Sequence, residues 1–160
     1  MRNSTLLFLV KKESDTVTDI CLAMKKRGFG KDRYNGYGGK VEEGETIVDA
    51  VKRELVEESG VITEELEKYG EIEFTFPHRP DFNQYVHVYL STSWIGEPEE
   101  TEEMSPLWYA VENIPYDQMW PDDIFWLPKV IEENKKIRAK FSFGEGDVIQ
   151  EQEVVVVDSL

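Results

Sequence analysis

The chain has 160 residues, enough for one domain (1–160) with a substantial buried core. Its 33 acidic against 18 basic residues leave a formal charge of −15, which excludes the broad basic surface that a nucleic-acid polymer demands. A lone cysteine, Cys21, excludes a disulfide framework or a thiolate zinc site and fits a reducing, cytoplasmic setting. The apolar run Leu6–Val10 is too short for a membrane span or a signal peptide, so no membrane partner is expected. It reads instead as the middle of a first strand, Thr5–Val10. A second strand, Ile20–Lys25, leads into the basic cluster "KKRGFGKDR", read as a phosphate-facing or solvated strand end.

The glycine-rich stretch "YNGYGGK" follows, and then a helix over Glu45–Ser59, free of Pro and Gly, closed by Gly60. Gly36, Gly38 and Gly39 permit close backbone approach; a phosphate cradle and an ordinary tight turn are both compatible with them. At about 100° per residue, Ile47, Ala50 and Val51 share one arc of the helix. Steps of three, four and seven carry that arc to Glu54 and Glu58, with Glu57 close beside them. Three carboxylates therefore fall where the first turns place aliphatic side chains, near a helix C-terminus whose dipole opposes them. Such clustering points to a hard cation, Mg²⁺ with Mn²⁺ as substitute, because the donors are all oxygen; a structural ion-pair network is the alternative.

Further strands are expected at Tyr69–Phe76, Tyr85–Trp94 and Leu107–Val111; in the first, Ile72, Phe74 and Phe76 alternate with polar residues. "GEPEETEEMSP" reads as a charged loop. "WPDDIFWLPKVIEENKK" reads as a second helix, capped near Asp122 or Asp123 and kinked by Pro128. The tail forms a hairpin turning at Gly144–Asp147. Together these elements predict an α/β fold, a mixed sheet with a helix on each face. His87, alternating with Val86 and Val88, is expected to be structural.

From Gly39 to Val61 the sequence fits the Nudix box, Gly-x5-Glu-x7-Arg-Glu-U-x-Glu-Glu-x-Gly-U with U aliphatic. Gly39, Glu45, Arg53, Glu54, Leu55, Glu57, Glu58, Gly60 and Val61 fill every fixed place. The chain thus resembles the Nudix hydrolase family, which implies an α/β/α sandwich with a catalytic loop–helix–loop. It also implies Mg²⁺- or Mn²⁺-dependent hydrolysis of a nucleoside diphosphate linked to another moiety. By that resemblance Glu54, Glu57 and Glu58 are metal ligands, Glu57 or Glu58 helps activate water, and Arg53 orients the carboxylates.

"MKKRGFG", "NGYGGKVEEGET" and "MWPDD" are similar to the MutT-type members that convert oxidised purine nucleoside triphosphates to the monophosphate and pyrophosphate. The similarity implies that Asn35, Asp122 and Asp123 read the base, Trp120 walls the purine, and Phe74 and Phe76 shape the pocket floor. Lys25 would lie near the nucleotide and Thr5 would line the pocket. Gly38 would offer a carbonyl to the metal and Glu103 a further carboxylate. Tyr37, Gly39, Lys40 and Pro121 complete the substrate-binding set. A guanine-type edge shows N–H donors beside a carbonyl, so adjacent carboxyls sharing one proton could read both 8-oxo-guanine and 2-oxo-adenine. The competing role for "PDDIF" is a helix cap with a first-turn acid.

The sequence departs from that pattern in "KKESDTVTD", in "PHRPDFNQ", and at Tyr34 and Tyr37, which stand for the usual Trp and Phe. ADP-ribose and dinucleoside polyphosphates are therefore rival substrates; an inositol pyrophosphate would need a basic surface. An inactive binding module would show a broken box, and this one is complete. A monomer acting on small nucleotides is expected.

Overall fold

In the computed structural model, which describes residues 1–160, the first strand runs through the middle of the molecule. This strand, β1 (Arg2–Glu13), is apolar on both faces because both are covered: Phe8 and Val10 point one way, Leu7 and Leu9 the other, and all four are fully buried. It pairs antiparallel with β2 (Thr16–Lys25) on one side and parallel with β5 (Gln84–Ile95) on the other. The sheet continues from β5 through β4 (Ile62–Thr75) and β7 (Lys136–Phe143) to the edge strand β8 (Ile149–Val157). At the other end β2 carries the two-residue β3 (Tyr34–Asn35) and β6 (Met104–Ala110). The β1–β5 and β4–β7 pairs are parallel and the rest antiparallel, the mixed sheet expected from the sequence.

Helix α1 (Ile47–Ser59) packs on one face of this sheet through Val51 and Leu55, beside Leu7, Leu9, Cys21 and Tyr37. Helix α2 (Asp123–Ile131) packs on the other through Trp126, Leu127, Val130 and Ile131, against Phe8, Ile72 and Phe141. Alternation along the strands feeds both cores at once.

Several boundaries differ from expectation for identifiable reasons. Helix α1 begins two residues later than Glu45: the Thr46 hydroxyl caps it, accepting from the Asp49 N–H at 3.1 Å. Gly60 closes it in the left-handed conformation, φ 77°, as the sequence suggests. Strand β4 starts at Ile62 rather than Tyr69, and three register shifts before Gly70 break the alternation that would reveal it. Helix α2 runs past Pro128 but ends at Ile131, before "EENKK", with Asn134 at φ 53°. The β7–β8 hairpin turns at Glu145–Asp147, where expected. His87 is buried and structural, its ring nitrogens 2.8 Å from Lys68 Nζ and 3.0 Å from Asn3 Oδ1. No helix is long and apolar enough to cross a membrane.

Candidate active site

The glycine loop is fastened to β1 like an extra strand. Leu7 and Tyr37 exchange backbone hydrogen bonds, and the Thr5 N–H donates to the Gly39 carbonyl at 2.9 Å. A side chain on Gly38 would overlap the Thr5 carbonyl, so only glycine allows this approach. One consequence reaches α1. The Gly38 N–H donates to Glu58 Oε1 at 2.9 Å, joining the loop to the last turn of the helix.

Arg53 makes the second junction. Its guanidinium donates to both oxygens of Glu45 at 2.7 and 3.0 Å and to the Lys40 carbonyl at 3.0 Å. It also donates to Glu54 at 3.0 Å and to Glu57 at 3.3 Å. Hydrogen bonding from Arg53 holds the Glu45 carboxyl down at about 2. Glu45 thus belongs to the clamp rather than to the first turn of the helix.

The three helix glutamates separate. Glu58 is 3% exposed; burial, with the Glu54 charge next, pushes its carboxyl up to about 8. Glu54 is also raised by burial, partly offset by Arg53. Glu57, expected to face inward, is 58% exposed along its side chain. It stands four residues from Arg53 and so shares that flank of the helix. Glu103 lies at the start of the strand beside them, where its charge raises Glu54 and Glu58, while its side chain pairs with Arg27 at 3.3 Å. No three acidic side chains converge on one point in this arrangement. The chemistry of the donors nonetheless fits a hard cation: all are oxygens, and Glu58 is buried and Glu54 half-buried, where a positive charge would relieve them.

On the α2 side of β1 a cavity of ≈ 260 Å³ opens from Glu58 and Lys25 toward the start of α2. Asn35, Phe74, Phe76, Trp120, Asp122 and Asp123 all line it, as do Gly38, Gly39 and Lys40. Asn35 accepts from the Gly36 N–H through Oδ1, leaving its amide NH₂ for a ligand. Asp122 sits at the N-cap position yet makes no capping bond; it accepts from Trp126 Nε1 at 2.8 Å instead. Asp123 is 3% exposed and its Oδ2 has no hydrogen-bond partner. Burial raises both carboxyls, and Asp123 further because the Asp122 charge lies beside it. Two buried carboxyls so placed oppose ionising together. Of the two roles weighed from the sequence, the side-chain cap is absent at Asp122, while Asp123 does stand as an acid in the first turn of α2.

Two expected residues are placed differently. Tyr37 is 1% exposed in the α1-side core and does not line the cavity, because alternation from Gly36 turns it through the sheet. Pro121 also lies off the lining. Thr5 lines the cavity as expected, and its hydroxyl, 3.4 Å from the Gly39 carbonyl, also braces the loop. The lining also includes Phe29, Arg33, Met104 and Phe143, none singled out from sequence. Only the fold brings Phe143 to Trp120, 5.7 Å away centre to centre.

Family comparison agrees with this geometry. Residues 2–130 match the NUDIX domain. The chain is 45% identical over 140 residues to a Mus musculus protein named oxidized purine nucleoside triphosphate hydrolase, covering 88% of each. A Danio rerio protein of the same name is 43% identical over 141 residues, covering 88% of this chain and 89% of that one. A MutT protein crystal structure from Bacillus halodurans superposes with a TM-score of 0.82 at 19% identity, over 96% of this chain and 97% of that one. With the box complete and its residues assembled on one loop and one helix, this chain belongs to the Nudix family of hydrolases.

Proposed function

We propose that this enzyme hydrolyses oxidised purine nucleoside triphosphates, 8-oxo-dGTP and 2-oxo-dATP, to the nucleoside monophosphate and pyrophosphate. The observation that carries the base assignment is the pair Asp122 and Asp123, buried in a Trp-walled cavity with Asp123 lacking a partner. A carboxylate at Asp122 accepts the N–H donors of the base edge, and a protonated Asp123 donates to its carbonyl. Asn35 adds its free NH₂ group, and Trp120 with Phe74 and Phe76 encloses the ring. The oxidised purine is recognised because a mismatched edge leaves buried polar groups unpaired.

Lys25 and the glycine loop lie at the other end of the same cavity, beside Glu58, where the phosphates would emerge. Mg²⁺ or Mn²⁺, held by Glu54, Glu57, Glu58 and Glu103 with the Gly38 carbonyl, would supply phosphate neutralisation and acidify a water. The chain itself supplies the rest. Arg53 keeps the carboxylates oriented, and Glu57 or Glu58 takes the proton of the attacking water. The −15 charge and the buried single cysteine support a monomer working on free nucleotides in the cytoplasm.

Asp122→Asn and Asp123→Asn test the assignment. Each should shift preference among 8-oxo-dGTP, 2-oxo-dATP, dGTP and dATP by roughly 10- to 100-fold, the value of one buried hydrogen bond to a charged group. Steady-state kinetics on the four triphosphates, with ADP-ribose and diadenosine polyphosphate alongside, reads this directly. Unaltered ratios in both variants would refute base reading by the pair. Faster hydrolysis of ADP-ribose or the dinucleotide would favour those substrates instead.

A further inference from the structure

The Trp120 wall is itself held by a neighbouring lining residue, Arg33, to which the family motif gives no role. Arg33 lies at the end of the tight loop Gly28–Arg33, where its N–H donates to the Gly30 carbonyl and its own carbonyl accepts from Lys25. Its guanidinium sits 4.1 Å from the centre of the Trp120 ring. On the same loop Gly30 packs so closely that a side chain there would meet Trp120 Nε1 at 3.2 Å. Phe29 and Phe143 lie 5.0 and 5.7 Å from the ring, centre to centre. The Trp120 indole is therefore gripped by one loop and packed against strand β7.

Arg33 is in turn anchored. Its Nη1 lies 2.9 Å from Asp147 Oδ2, in the turn of the β7–β8 hairpin, where Asp147 holds a left-handed φ of 59°. Asp and Asn tolerate that conformation better than most residues. The chain thus bends at Asp147 to present a carboxylate to Arg33. The anchor ties three distant pieces together: the loop after β2, the segment before α2, and the final hairpin.

We infer that Arg33, fixed by Asp147, is a positioning residue that sets the Trp120 wall and so determines how well the pocket discriminates an oxidised purine. A planar guanidinium stacks on an indole in a way that an ammonium does not. Locking the ring before substrate arrives removes an ordering cost from binding. The fixed charge also lies near Asp122, whose carboxyl it holds lower than burial alone would. The inference rests on the reading of this cavity as a purine site.

The test compares the wild type with Arg33→Ala, Arg33→Lys and Asp147→Asn, measuring kcat and KM on 8-oxo-dGTP and dGTP with Mg²⁺ and recording melting midpoints alongside. In Arg33→Ala, KM for 8-oxo-dGTP should rise roughly 3- to 30-fold, the span of a partly desolvated cation–π contact, with a smaller change in kcat. Discrimination against dGTP should fall with it. Arg33→Lys should recover only part of the loss, and Asp147→Asn should show a smaller loss of the same sign. Should Arg33→Ala melt too low to assay, the other two variants carry the same comparison. Unchanged KM and discrimination in the variants that fold would overturn the inference, as would a loss of kcat on both substrates that merely tracks melting. A wild type indifferent between 8-oxo-dGTP and dGTP would sink the substrate reading instead, while KM on dGTP still reports the grip on Trp120.

Discussion

Replacing Glu58 by Gln should lower turnover more than about 100-fold while leaving the fold intact or slightly more stable. The magnitude follows from the position. Outer partners of metal sites already cost 10- to 100-fold when removed, and Glu58 is proposed to touch the metal itself. The stability expectation has a separate origin. Glu58 is buried beside Glu54 with only one hydrogen bond, from the Gly38 N–H, so its charge is costly to bury. A glutamine keeps an oxygen for that N–H and removes the charge. Loss of activity with an unchanged or higher melting midpoint separates a residue kept for chemistry from one kept for folding. Glu57→Gln should also remove most turnover, but it should leave stability unchanged, since that side chain is exposed. Nucleotide binding should survive in both variants. Full activity in either would contradict its place in the metal site.

Gly38→Ala should be the most damaging single methyl in the molecule. The added carbon overlaps the carbonyl oxygen and carbon of Thr5, which are backbone atoms of the central strand and have no rotamer to escape into. We expect a loss of about 3 kcal/mol, the upper part of the range for overpacking, or a melting midpoint roughly 6–12 °C lower. Activity should fall with it, because the Gly38 N–H positions Glu58. Gly44→Ala is the control: Gly44 has a left-handed φ of 79° but open space around it, so about 1 kcal/mol is expected. Equal melting of the two variants would show that the loop does not depend on its contact with β1.

How far the sequence reached depended on whether a pattern was local. The helix carrying the box was legible because its apolar arc and its closing glycine lie within sixteen residues, though the Thr46 cap was not read. Its carboxylates were only partly legible. The arc places Glu54 and Glu58 correctly, but Glu57 lies about 100° from Glu58 and its neighbour Arg53 draws it outward. Strand β4 was half hidden, since bulges put successive glutamates out of phase with any single face. The glutamate end of the cavity is local sequence except for Glu103. The base end is tertiary: Asn35, Phe76, Trp120 and Phe143 come from four elements that meet only because β1 sits between α1 and α2. That is why Phe143 carried no signal in the chain, and why Arg33 was read only as part of a phosphate-facing or solvated basic strand end rather than as a partner of Trp120.

We propose that one cavity joins an oxidised-purine reader to a phosphate-cleaving glutamate site. It is tested most directly by measuring kcat/KM with Mg²⁺ for 8-oxo-dGTP and for dGTP, with the products identified. A markedly higher value is expected for 8-oxo-dGTP, with 8-oxo-dGMP and pyrophosphate as products. Equal values for the two triphosphates would contradict it.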